Sequence, residues 1–276
     1  MDYSTLPWNF EAFRKFITFQ AIQNAAGVIT LYDGTETTNS KKMLEFQHML
    51  NSRSGLIWEP SRQNSEDVLY NSEGNVFRNK ARVLTSLYLL SPFELKKGTI
   101  SATKFCRLLA SGKISEKEFH DFIINSYEFP HPAYDENWNA WKDANTKLKP
   151  FIFILQLLLS LYNDKPDSAY LTVDEFARFA HSQPFHDKID NIVSEILKHR
   201  MQPELLESRT RSDKIDRKIN DVFGFMCMTK YTYFEGSKIR LNLVDKHPEE
   251  LVNFYISRGG ISIPDEIFKT ITRGLR

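Results

Sequence analysis

Twice along this chain a helix-forming stretch with a basic start runs into a short segment that turns on a glycine, and this repeated order limits the fold more than any other feature. In the first copy, Arg78 to Leu90 sets Ala81, Val83, Leu84, Leu87, Tyr88 and Leu90 at helical spacing. The Ser91-Pro92 step predicts its end, because the residue before proline is disfavoured in the helical region. Phe93 to Ser101 then places Lys96, Lys97 and Gly98 between Phe93, Leu95 and Ile100, the pattern of a short hairpin. In the second copy, Ser212 to Met226 carries Ile215, Ile219, Val222, Phe223, Phe225 and Met226 as an apolar stripe. Tyr231, Tyr233, Gly236, Ile239 and Leu241 follow, as a hairpin turning at Glu235-Gly236. Arg82 lies 16 residues before Gly98 and Arg217 lies 19 before Gly236, so the two segments read as an internal duplication.

Further elements extend the pattern. Phe10, Phe13, Phe16, Ile17, Ala21 and Ile22 predict an amphipathic helix over Asn9 to Ala26, ended near Gly27, and Met43, Leu44, Phe46, Met49 and Leu50 predict another over Lys41 to Asn51. A polar connection, Ser52 to Asn75, leads to the first basic helix. Helix, helix, helix and basic hairpin is the order of a winged helix, whose third helix enters the DNA major groove. Between the copies, Ser115 and Glu118 form the first capping box, opening a helix to Ser126. A break at Phe129-Pro130-His131-Pro132 and a polar aromatic loop to Lys149 follow. Pro150 then opens an apolar helix through Tyr162 in the favoured first-turn position. Thr172 and Glu175 form a second capping box, and Ile189 to His199 is the middle helix of a second unit running from about Leu148 to Leu241. The expected fold is mainly α with short β-hairpin wings, in two winged-helix (helix-turn-helix) subdomains. The first, with a helical linker, takes residues 1–147, and the second, with a C-terminal tail, takes 148–276.

Charge sharpens this picture only when it is divided along the chain. Thirty-six Lys+Arg against 35 Asp+Glu leave +1 over 276 residues, which excludes a uniformly basic nucleic-acid coat. Arg62 to Lys113 nevertheless carries nine basic against four acidic residues, Ile114 to Thr146 two against seven, and Arg209 to Arg240 eight against four. Any charged surface fluctuates, and a solvated helix face accounts for such runs equally well. Cys106 and Cys227 are too few for a disulfide framework and read as core thiols, and neither CxxC nor HExxH is present to seat a metal. The longest apolar run, Phe151 to Tyr162, is too short for a membrane span, and the N-terminus lacks secretory features, so a cytoplasmic location is expected.

Duplex DNA offers phosphates, which attract Lys and Arg, and base edges, which Arg, Lys, Asn and Gln read. The base-reading candidates are Arg78, Asn79 and Arg82, with Lys80 beside them, and Arg211, Lys214, Arg217 and Lys218. Lys96, Lys97, Lys238 and Arg240 on the wings, with Lys41 and Lys42 before the second helix, are phosphate candidates. Arg53, Arg62, Gln63 and Asn64 read as loop residues that could enter a groove or be an ordinary connection. His181 and His186 read as surface histidines, and Trp138 and Trp141 as a loop packed on the core, rather than as a sugar-binding platform with Asp135, Glu136 and Asp143.

With these elements placed, several separated stretches resemble the DNA-recognition region of the AlwI family of type IIS restriction and nicking endonucleases. They are Gly98-Thr99-Ile100-Ser101 leading to Arg107-Leu108-Leu109-Ala110-Ser111-Gly112-Lys113; Glu118-Phe119 through Tyr127-Glu128-Phe129-Pro130; Lys149-Pro150-Phe151 through Leu157-Leu158-Leu159; Leu171-Thr172 with Glu175-Phe176-Ala177-Arg178-Phe179; and Tyr233 to Leu241. The resemblance runs in order over roughly Trp8 to Ile256. It implies two winged helices clasping a short asymmetric site in double-stranded DNA. It also implies a Mg²⁺-dependent PD-(D/E)xK nuclease domain or subunit that cuts outside the site. Within these residues Glu235-Gly236-Ser237-Lys238 has the Glu-x-x-Lys spacing but sits on a wing, and Pro264-Asp265 follows it in the wrong order. The expectation is therefore a recognition module with no catalytic residue and no cofactor of its own, and with no membrane partner. Two rival readings are a stand-alone winged-helix regulator and a helical protein-interaction subunit whose basic patches meet an acidic partner.

Overall fold

The computed structural model describes residues 8, 18–54, 75–134, 137–202, 212–244, 246–258 and 264–272. The N-terminal half is helical: α1 (Phe19–Leu31), α2 (Ser40–Ser54), α3 (Asn75–Ser86), α4 (Pro92–Lys96), α5 (Lys104–Ala110), α6 (Glu116–Ser126) and α7 (Trp138–Asp143). After α8 (Pro150–Asp164) come β1 (Tyr170–Thr172), α9 (Val173–Glu175), α10 (Ile189–Met201), α11 (Asp213–Met228), β2 (Thr232–Glu235), β3 (Lys238–Leu241), α12 (Pro248–Ser257) and α13 (Pro264–Thr272). The fold is mainly α with a small antiparallel sheet of order β1-β3-β2. Packing divides the chain into two units. One comprises Phe13–Phe119, Pro132–Tyr134 and Asp265–Arg276, and the other Met1–Ala12, His120–His131 and Asp135–Pro264.

In the first unit, the Thr18 hydroxyl caps α1 by accepting from the Ala21 N–H at 3.2 Å, and α1 packs on α2 and α5. The helix does not end near Gly27 as the spacing predicts. A glycine inside a helix costs only about 1 kcal/mol, and burying Val28 and Ile29 beyond it outweighs that. Residues 9–17 of the predicted helix lie outside the described residues. Helix α3 stops at Ser86, short of the Ser91-Pro92 step, where the chain turns through Tyr88 at φ 61°.

The first predicted hairpin is a helix. Pro92 stands at the first position of α4, its ring pre-setting φ for a helical turn, and Gly98, at φ 82°, follows the Lys97 C-cap and donates to the Leu95 carbonyl at 3.0 Å. Proline inside and glycine just past the end is a helix signature, and it overrides the apolar alternation. The flanks still pair: Glu36 bridges Thr99 and Leu90 bridges Ala102, both antiparallel. The Asp33 carboxylate locks this ladder to α5, accepting from the Ala102 N–H at 2.7 Å and from Arg107 at 2.6 Å.

In the second unit α8 is the core. Pro150 opens it, and Phe151, Ile152, Phe153, Ile154, Leu155, Leu157, Leu158 and Leu161 are all buried. Trp8 packs edge-on against Phe153 and Phe176, with centroids at 5.7 and 5.4 Å. The stretch before α8 is not only loop, because α7 forms there and buries Trp141. Both predicted capping boxes are present, Ser115 with Glu118 and Thr172 with Glu175. The second one opens only a single α-turn, which widens into a π-helical turn over Phe176–Ala180. The second hairpin forms as predicted: Tyr233 opposes Arg240, Phe234 opposes Ile239 and Glu235 opposes Lys238. Gly236, at φ 59°, supplies the left-handed first turn position. β1 completes the sheet, with Tyr170, Leu171 and Thr172 opposite Arg240, Ile239 and Lys238.

Arg200 ties this unit together. It donates to the Glu175 carboxylate from Nε at 2.6 Å and from Nη2 at 3.1 Å, and to the Ser168 and Tyr170 carbonyls. The Glu175 side chain is only 4% exposed. Removing one partner of a buried pair costs about 3–5 kcal/mol, because the other charge is left without compensation. Arg200→Met should therefore lower unfolding stability by about that amount. Urea denaturation measures it, and an unchanged midpoint would contradict the assignment.

Candidate nucleic-acid interface

Helix α11 presents its polar side at its start. Ile219, Val222, Phe223, Phe225 and Met226 are buried, which turns Asp213, Lys214, Arg217 and Asn220 outward. Lys214 and Arg217 lie one turn apart and share a face. Asn220 continues the stripe, and its amide donates to the Asp216 carbonyl at 2.8 Å. It is absent from the residues singled out in the sequence, although its spacing of three from Arg217 was there to find. Lys218 is half-buried at the edge of this stripe. Arg211 lies outside the described residues.

The cations of the hairpin are engaged by the protein itself. Tyr170 holds two of them, and one cation from α10, around its ring: the Arg200 guanidinium at 3.7 Å, the Lys238 ammonium at 4.1 Å and the Arg240 guanidinium at 5.0 Å from the centroid. Arg240 also donates from Nε to Glu235 at 2.5 Å and from Nη1 to the Asp167 carbonyl at 3.2 Å. The antiparallel register sets Tyr170, Arg240 and Tyr233 in one row and Thr172, Lys238 and Glu235 in the next, on the sheet face opposite buried Leu171, Ile239 and Leu241. Tyr170 and Arg200 are new relative to the sequence reading. They lie far from the hairpin along the chain, and only pairing of β1 with β3 brings them to it.

In the first unit, Lys41 and Lys42 are exposed in the first turn of α2, where the Asn39 side chain accepts the Lys42 N–H at 3.2 Å. Lys96 and Lys97 are exposed, but at the end of α4 rather than on a wing, and Lys97 pairs with Glu94 at 3.0 Å. Arg82 is half-buried, with its guanidinium 5.7 Å from the Tyr134 ring centroid. Arg78, Asn79 and Lys80 belong to α3 but fall outside the residues whose side chains are described; Arg53 stands in the last turn of α2 rather than in a loop, and Arg62, Gln63 and Asn64 lie outside the described residues altogether. Among the described residues no three His, Cys, Asp or Glu side chains stand together to hold a metal, and no helix is long and apolar enough to cross a membrane.

His186 is not the surface histidine that its sequence context predicts. Its Nε2 accepts the Lys149 N–H at 3.0 Å and its Nδ1 lies 2.6 Å from Gln156 Oε1. Burial first, and then the positive charge of Lys149, bring its pKa from the ordinary 6.5 to about 3. Burial alone does the same to His131, also about 3. Burial likewise lowers Lys149, opposed by the Glu128 carboxylate. Cys106 is a buried thiol raised to about 12 by desolvation, and Cys227, half-buried, is raised to about 11 for the same reason.

No family model matches this sequence and no curated relative does. Among solved structures the chain is similar to the BpuJ1 endonuclease binding domain, crystallised in complex with pyrene- and phenanthrene-modified DNA, at a TM-score of 0.60 and 14% identity. The likeness covers 93% of this chain and 90% of that one. The likeness shows the fold: the chain shares the architecture of that domain.

The imidazoles of His131, buried, and His186, half-buried, set a pH dependence. Both histidines are neutral when folded, so the unfolded chain takes up protons first as pH falls. Their contribution is complete above the unfolded pKa near 6.5 and is lost progressively towards the folded value of about 3. The urea midpoint should fall between pH 7 and pH 4.5, and His131 and His186 should show unshifted imidazole NMR signals over that range wherever the chain stays folded. Either ring titrating near 6.5 would contradict the assignment.

Proposed function

We propose that this chain is the sequence-specific double-stranded DNA-recognition module of a type II, IIS-like restriction endonuclease, of the kind the AlwI resemblance implies. One observation carries the reading: a likeness that spans nearly the whole of this chain and of an endonuclease binding domain solved with DNA. The order α8, β1, α10, α11, β2, β3 with sheet order β1-β3-β2 supports a winged helix in the second unit, with α11 as its recognition helix. In the first unit, α1, α2 and α3 followed by α4 in place of a wing support a related helix-turn-helix.

In this reading Lys214 and Arg217 enter the major groove with Asn220. An arginine fork matches the O6 and N7 acceptors of guanine, and an asparagine amide matches adenine. Lys41, Lys42, Lys96, Lys97, Lys238 and Arg240 neutralise phosphates, which makes affinity fall steeply with salt. Arg78, Asn79, Lys80 and Arg82 are assigned to base reading in the first unit from their sequence pattern, and Arg62, Gln63, Asn64 and Arg211 are retained as DNA-contact candidates on the same ground. Hydrolysis belongs to a Mg²⁺-dependent nuclease domain or subunit outside these residues, so no catalytic step is assigned to this chain.

Selection from a random duplex pool at two salt concentrations tests this function. One short asymmetric sequence should be enriched; a palindrome would indicate a symmetric dimer instead, and no enrichment would refute sequence recognition. Within the selected site Arg217→Ala should relax a single base position at a cost of about 1–3 kcal/mol, whereas Lys97→Ala should weaken every sequence alike and reduce the salt slope by about 1. Equal losses on all sequences from both variants would reject this division of roles.

A further inference from the structure

We infer that the outward face of the three-stranded sheet is a seat for a DNA phosphate, built by Lys238 and Arg240 on the Tyr170 ring and occupied in the free protein by the Glu235 carboxylate. The inference rests on the DNA-binding reading above and adds to it a positioning residue, Tyr170, and a resident competitor, Glu235.

Three cations within 5.0 Å of one ring centroid repel one another, and the neutralising groups are unevenly shared. Arg200 has its own buried carboxylate in Glu175 and two backbone carbonyls, so its charge is answered by the fold. Among the described residues Arg240 is answered only by Glu235, on the exposed rim of the hairpin, and by the Asp167 carbonyl. No carboxylate among the described residues pairs with Lys238, whose ammonium rests on the face of Tyr170. The ring attracts cations but carries no net charge, so it gathers them without neutralising them. The result is a preassembled cationic face with one removable anion.

Glu235 is removable because its side chain is 56% exposed, and an ion pair so exposed contributes little to stability. A phosphate brings the same charge to the same guanidinium and can also engage Lys238, directly opposite Glu235 in the register. It releases condensed counterions as well, which a carboxylate of the protein does not do. Glu235 therefore keeps Arg240 oriented in the absence of DNA and lowers affinity by competing for it.

The test is duplex binding by the full chain at about 50 and 200 mM salt, the range over which phosphate contacts are separated by their salt slope. Glu235→Gln should tighten binding roughly threefold to tenfold at the lower salt, an electrostatic gain that screening reduces at the higher. Glu195→Gln, which removes an equal charge from the exposed side of α10, should change it by less than about twofold at either salt. In an Arg240→Ala background Glu235→Gln should have no further effect, because the competitor then has nothing to occupy. Lys238→Ala should reduce the salt slope by about 1. Tyr170→Leu should weaken binding and Tyr170→Phe should restore it, because the ring, not the hydroxyl, carries the cations. Urea midpoints of each variant separate loss of fold from loss of the seat. If the wild-type chain binds duplex but Glu235→Gln tightens no more than Glu195→Gln, or tightens equally without Arg240, the phosphate seat is overturned while the DNA reading stands. If the wild-type chain binds no duplex at either salt, both are overturned.

Discussion

The arrangement of the second unit depends on one half-buried guanidinium and the buried carboxylate that answers it. Arg200 comes from the last turn of α10, yet it closes on the Glu175 carboxylate of α9, on the carbonyls of Ser168 and Tyr170, and on the Tyr170 ring. A planar fork with five donors suits this task, since it satisfies a carboxylate and two carbonyls at once while its face stacks on an aromatic ring. The same Glu175 completes the capping box at Thr172, so a single carboxylate starts a helix and answers a distant cation. With Tyr170 held, β1 is in register for β3, and the hairpin gains the third strand that an isolated two-stranded ribbon lacks.

The two halves of the apparent duplication show how much one proline decides. In the second half Tyr231, Thr232, Tyr233 and Phe234 are aromatic or β-branched, each has an amide to donate, and a ladder forms up to the Gly236 turn. In the first half Pro92 lacks that amide and pre-sets a helical φ, so the same stretch winds into α4 and leaves only single bridges at its flanks. Lys96 and Lys97 then stand at a helix end instead of on a hairpin. They remain exposed, so a role at phosphates does not depend on the predicted wing.

The interior of the second unit is more polar than its apolar helices require. The Lys149 ammonium donates to the Asn125 carbonyl, and its backbone N–H donates to His186, whose other nitrogen meets Gln156. The Tyr231 hydroxyl reaches Asp121 at 2.7 Å. Each bond joins segments well apart in the chain. Each is also directional, whereas the apolar contacts of α8 are not, so these polar links select one packing of α6 and α8 among those that apolar burial alone would allow.

The sequence by itself determined the elements whose signals act within a few residues: both capping boxes, the proline start of α8, the apolar stripe of α11 and the Gly236 turn. In each case the backbone preference and the group that satisfies it are neighbours in the chain. It also exposed Lys214 and Arg217, because the stripe that buries Ile219 and Val222 leaves the opposite face to solvent. The end of α1 and the enclosure of His186 were decided by the tertiary structure, because packing there outweighed the local pattern, whereas the winding of Phe93 to Ser101 into α4 was also written locally, in Pro92 and Gly98, against the apolar alternation. Only the fold could bring Tyr170 and Arg200 to Lys238 and Arg240. Strand pairing and a long-range ion pair join residues that share no local signal, and their free energy exists only once the core has closed.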